Sequence, residues 1–235
     1  MFLQISSLTS LHMLTLMTCY ETWASDVLAA MSSLRSLRTV CSALPRCLPQ
    51  LTQLQALSLH APCDVLPAEQ QAALFDTLQQ LTALWLFRAG VSEHGMAAIS
   101  RLPSLRKCAV LCNELQPLPG VAWMRSLTWL AVEHQQVLHQ PEQQLRGAPQ
   151  LESLTVVGAC HPGQARQWDA LFAWARQAAA LRHMKVLLVG PLKAQRAQKY
   201  VRRGLQELQQ ARPELHTAMQ DYYYLESEFW DEVVV

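Results

Sequence analysis

Charge is scarce in this sequence. Only 16% of its 235 residues are Asp, Glu, Lys or Arg, and the signs nearly cancel to a formal +1. Such a balance supplies no general attraction for nucleic acid or an anionic membrane surface. Apolar runs are short as well, and none reaches the roughly 18 residues of a membrane-spanning helix. Among only eight glycines, none builds a phosphate-binding loop. The nearest candidate, VGPLKAQ with Gly190 and Lys193, lacks both the glycine-rich loop and the Lys-Ser/Thr pair of a nucleotide site, and reads as a strand-to-helix turn. The opening MFLQISSLTSLHML has no Lys or Arg and no clear cleavage region, which argues against a secretory leader. Seven cysteines, odd in number and irregularly spaced, fit reduced thiols better than a disulfide scaffold. They point to a cytoplasmic or otherwise intracellular protein.

Hydrophobic residues, by contrast, make up 51% of the chain, which suits a folded domain with a large core. The leucines recur in one pattern, L-x-x-L-x-x-L-x-L. It appears as LTSLHMLTL from Leu8, LTQLQALSL from Leu51 and LQQLTALWL from Leu78. Looser copies are MSSLRSLRT from Met31, LPSLRKCAV from Leu102, MRSLTWLAV from Met124, APQLESLTV from Ala148 and LRHMKVLLV from Leu181. A decayed copy, RPELHTAMQ, starts at Arg212, and successive starts lie 20 to 33 residues apart. In each copy the last two apolar positions alternate, so they point to one side of a short strand. One unit cannot bury that side alone; stacked neighbours can.

This pattern resembles the leucine-rich repeat family, of the ribonuclease-inhibitor-like or mixed-length intracellular kind, over nearly the whole chain. The resemblance implies an α/β fold: a curved solenoid with a parallel concave sheet and helices or turns on the convex side. Residues 1–218 would form about eight or nine units, and the acidic, aromatic residues 219–235 a C-terminal cap or tail. The family's polar turn residue is matched only at Cys19 and Asn113. Return segments with helical spacing offer Ala72, Phe75 and Leu78, then Trp168, Leu171, Phe172 and Ala175, then Val201, Leu205 and Leu208 as apolar faces. A shorter helix is expected near Ser92, weakened by Gly95.

In that family the residues between the strand leucines line the concave face. Carried over, this puts Trp85 and Phe87, Lys107 and Leu111, and Trp129 and Glu133 on three successive strands, with His60 beside them. The eighth unit would add Val186, Leu188 and Gly190. The expected function is therefore non-catalytic, adaptor-like protein recognition, with Trp85, Phe87, Leu111 and Trp129 as exposed anchors and His60, Lys107 and Glu133 as their rim. The protein partner is unidentified. A structural or self-associating repeat is the alternative, in which a homo-oligomer covers the apolar surface.

Chemistry finds little support. His134 and His139 form no HExxH helix, and the adjacent Cys160 and His161 of GACHPG lack a third orienting group. Cys108 and Cys112 do not have zinc-site spacing. No catalytic residue, metal ligand or cofactor is expected. The basic stripe Lys193, Arg196, Lys199, Arg202 and Arg203 has no interleaved aromatics, so nucleic-acid binding is the weakest reading.

Overall fold

The computed structural model describes residues 10–19, 28–41, 47–60, 68–87, 90–111, 123–133, 140–158, 165–188 and 195–221. They carry nine strands: β1 Met13–Cys19, β2 Ser36–Cys41, β3 Ala56–His60, β4 Ala83–Phe87, β5 Lys107–Leu111, β6 Trp129–Glu133, β7 Ser153–Gly158, β8 His183–Leu188 and β9 His216–Asp221. All pair in parallel in chain order, so each unit adds one strand beside its predecessor.

One backbone device repeats at nearly every strand entrance. A single turn brings the fourth residue of the unit back to the first, as in Leu54 N–H to Leu51 O at 3.0 Å and Leu81 N–H to Leu78 O at 3.1 Å. The next residue then offers its carbonyl to two amides of the following unit: Gln55 O accepts from Thr82 at 2.8 Å and Ala83 at 3.1 Å. His12, Arg35, Thr82, Arg106, Thr128 and Glu152 carbonyls do the same. This fork satisfies the polar groups of the turn and sets the register of each new strand.

With the register set, the leucine positions stack. Leu37, Leu57, Leu84, Cys108, Leu130, Leu154 and Met184 form one buried row, and Leu59, Leu86, Val110, Val132, Val156 and Val186 the next. Thr39 fills the β2 place in the second row and is also buried. Against these rows pack α1 Ala68–Thr77, α2 Glu93–Ile99, α3 Pro141–Gln144, α4 Ala165–Gln177 and α5 Gln195–Ala211, or single turns such as Leu48–Gln50. The helices and turns thus share the leucine side of the sheet. The expected apolar faces are buried there: Phe75 and Leu78 on the first return segment, Trp168, Leu171, Phe172 and Ala175 on α4, and Val201, Leu205 and Leu208 on α5. Ala72 packs on their border.

The helix near Ser92 forms as expected, and its glycine has a structural reason. Ser92 caps α2 by accepting from Gly95 N–H at 3.0 Å. The buried Gln71 of α1 accepts from Ser92 N–H at 2.8 Å and Oγ at 2.9 Å, and donates to Gly90 O at 2.8 Å. A β-carbon on residue 95 would stand 2.3 Å from Gln71 Oε1. Gly95 makes room for that polar joint.

The eighth unit departs from expectation. Its turn runs from Leu181 N–H to Ala178 O, and His183 N–H reaches the Glu152 carbonyl. The repeat therefore begins at Ala178, as AAALRHMKV, three residues before Leu181. Val186 and Leu188, expected on the opposite face, lie in the leucine core, while Leu187 takes the opposite face. Gly190 lies outside the described residues. The run MKVLLV is apolar at both parities, so alternation alone could not choose its face.

Candidate functional site

The face opposite the leucines is where sequence placed a binding surface. On it, Ser58, Trp85, Ala109, Ala131, Thr155 and Lys185 form one cross-strand row. A second row runs from Ala83 through Lys107, Trp129 and Ser153 to His183. His60, Phe87 and Leu111 form a third, and Glu133 pairs with Val157 and Val157 with Leu187 beyond it. All seven expected residues thus fall on one face, across four adjacent strands.

Their exposure differs from expectation. Trp85 is completely buried, Phe87 and Trp129 are 8% exposed, and Leu111 is 6% exposed. The expectation that Trp85, Phe87, Leu111 and Trp129 stand as exposed anchors is corrected on this point: all four are buried. With Ala83, Ala109, Ala131, Val157 and Leu187 they form a second apolar cluster, distinct from the leucine core. Burial comes from packing within that cluster, and the small residues of the row give the indole its space. Trp85 has Ser58 on one side and Ala109 on the other, and Ala131 follows in the same row. Small neighbours leave the indole room to lie against the sheet, where dispersion and water exclusion favour it.

The three polar members are half-buried at the border of this cluster. His60 meets Phe87 across β3 and β4, with ring centroids 6.4 Å apart and planes tilted by 55°. Lys107 stands between Ala83 and Trp129. Burial pushes the Glu133 carboxyl above the usual carboxylate range, because its charged form loses hydration there.

Two apolar members of this cluster, Val157 and Leu187, are not among the expected site residues. The three-residue slip of the eighth unit hides Leu187 from a reading of spacing. At the far end the reading also missed Arg212. Its buried guanidinium occupies the first position of the ninth unit, where other units carry Leu, Met or Ala. It donates to the carbonyls of Ala175 at 2.9 Å, Ala178 at 2.7 Å and Leu181 at 3.0 Å, and to the Glu214 carboxylate at 2.7 Å.

Among the described residues, no three His, Cys, Asp or Glu side chains converge as a metal site. No described helix is long and apolar enough to cross a membrane. Cys108 is a buried thiol packed in the leucine core. Cys112, Asn113, His134, His139, Cys160, His161, Lys193 and residues 222–235 lie outside the described residues, as does the side chain of Arg196. In the basic helix, Lys199, Arg202 and Arg203 are exposed and Arg203 pairs with Glu207 at 2.7 Å.

Compared with known protein families and with characterised proteins, the chain matches none. The reading of this face therefore rests on its own geometry.

Proposed function

We propose that this chain is a recognition module of the leucine-rich repeat type, non-catalytic and intracellular, which engages a protein partner through the sheet face opposite its leucine core. The observation that carries the reading is the grouping of His60, Lys107 and Glu133 around Trp129, Phe87 and Leu111 on adjacent strands. Such a patch combines a rigid apolar floor with a few polar groups, the composition of a protein interface. In this reading Trp85 supports the floor from beneath and does not touch the partner. Binding contacts come from the accessible border, chiefly Lys107 and Glu133, which orient the partner and exclude wrong ones.

The full burial of Trp85 also favours a second reading, in which the aromatic cluster is a structural second core. Two border variants separate them. Lys107→Glu and Glu133→Lys are expected to keep the circular-dichroism spectrum and cooperative melting of the parent. On the recognition reading, both lose the same co-purifying protein from cell extract. Identical bound proteins for the parent and both variants would leave the structural reading standing.

A further inference from the structure

The sheet face carries a second polar feature, at the entrances of its last two described strands. His183 opens β8 and His216 opens β9, and the two are directly paired across the parallel strands. Their imidazoles stack, with centroids 5.3 Å apart and planes only 14° from parallel. Both side chains are exposed to solvent. This is the one point in the described sheet where the backbone sets two histidines side by side.

We infer that His183 and His216 form a two-histidine site for a late first-row divalent cation that prefers imidazole nitrogen. The chemistry is general. Neutral imidazole is a good ligand for Ni2+, Cu2+ and Zn2+, at about 2.0–2.1 Å for zinc–nitrogen bonds. Two such bonds made side by side need nitrogens about 3 Å apart, which parallel strands about 4.8 Å apart bring within reach. Stacked rings do not themselves converge on one ion. Both rings turn about the bond from Cβ to the ring, a broad two-fold torsion, and neither is locked by burial. Lys185 lies in the neighbouring row of the same face, paired with Ala218, and water completes the coordination of an ion held by two imidazoles.

The backbone pre-positions the pair. The β8–β9 register is built by His216 N–H donating to the Arg182 carbonyl at 2.8 Å. The preceding turn is held by Arg212 through three carbonyls, of Ala175, Ala178 and Leu181. A cation bridging the strands would bind the folded chain and not the unfolded one, and so raise its stability.

Ni2+ is the suitable probe, because softer thiolate sites favour zinc and copper and the chain has seven cysteines. The measurement is calorimetric titration of the full chain with NiCl2, together with thermal melting in the same metal series. The parent is expected to bind Ni2+ and to melt at higher temperature as the metal rises. His183→Asn and His216→Asn are each expected to weaken that binding about tenfold or more, since loss of even an outer-shell partner typically costs about 10–100-fold. His94→Asn, on the exposed face of α2, should leave it unchanged. Circular dichroism establishes that the variants fold. Absence of Ni2+ binding by the parent overturns the site, as does equal binding by the parent and both strand variants.

Discussion

Arg212 shows how one residue can tie a unit to the one before it. Every other unit carries an apolar residue at this position. Arginine instead folds its guanidinium back onto the C-terminal carbonyls of α4 and the turn after it, which no longer have a following helical amide. Arg212→Met keeps apolar bulk but takes the guanidinium donor from the Ala175 and Leu181 carbonyls, while Ala178 keeps its bond from Leu181 N–H; it should cost about 2–4 kcal/mol in urea unfolding, from charged hydrogen bonds of about 1.5–3 kcal/mol each. Glu214→Gln should cost far less, because its half-exposed carboxylate is screened by solvent. Gly204 gives a sign reversal. Alanine is the better helix former by about 1 kcal/mol, yet a β-carbon there would stand 2.2 Å from the Phe172 ring of α4. Gly204→Ala is therefore expected to lower the melting temperature. Glu133 adds a pH dependence. Its carboxyl is raised by burial, so the ionised group opposes folding at neutral pH and ceases to do so below the unfolded value. Glu133→Gln should be more stable than the parent at pH 7, with the difference vanishing as the pH falls below about 4.

Strand β4 is buried on both faces: Leu84 and Leu86 enter the leucine core, Trp85 and Phe87 the second cluster. Both parities of its sequence ALWLF are apolar for that reason. Trp85→Ala should cost about 3–5 kcal/mol, the range for a buried aromatic, whereas Lys107→Ala should change stability by no more than about 0.5 kcal/mol. Equal effects would mean that Trp85 is not held in a packed cluster. In β8 the face assignment is testable too. Val186→Asp should abolish cooperative unfolding, since it puts a carboxylate into the leucine core without a partner; a tolerated substitution would restore the register that begins at Leu181. Tyr200 of α5 donates to Asp169 of α4, and that bond with the nearby carboxylate pushes its hydroxyl up to about 12. The helix–helix contact it supplies is present below the ordinary tyrosine value near 10 and is lost as pH rises through the folded one.

Across the whole sheet, stability is expected to fall from the centre outward. Strands β4 to β6 are buried on both faces, while Met13 of β1 is 47% exposed and His216, Ala218 and Gln220 of β9 face solvent. In a stack where each unit contacts only its neighbours, the ends open first. Amide exchange should therefore be slowest in β4–β6 and fastest in β1 and β9. Uniform exchange across the strands would indicate one all-or-none unit.

How much of this was legible depends on which interactions are local. The repeat, the parallel order of strands, the leucine core and most of the opposite face follow from spacing alone, because a period-two strand next to a one-turn bend leaves little choice of face. The sequence also carried the pairing of His60, Lys107, Trp129 and Glu133 onto one surface. Spacing could not determine the eighth unit, where Lys185 is the only polar residue within MKVLLV and two frames bury comparable apolar area. Nor could it determine whether Trp85 meets water or protein, since that depends on residues distant in the chain and on the size of Ser58, Ala109 and Ala131 beside it. The role of Arg212 in tying the ninth unit to the eighth belongs to the tertiary structure for the same reason: its three carbonyl partners lie more than 30 residues earlier, and only folding brings them under one guanidinium.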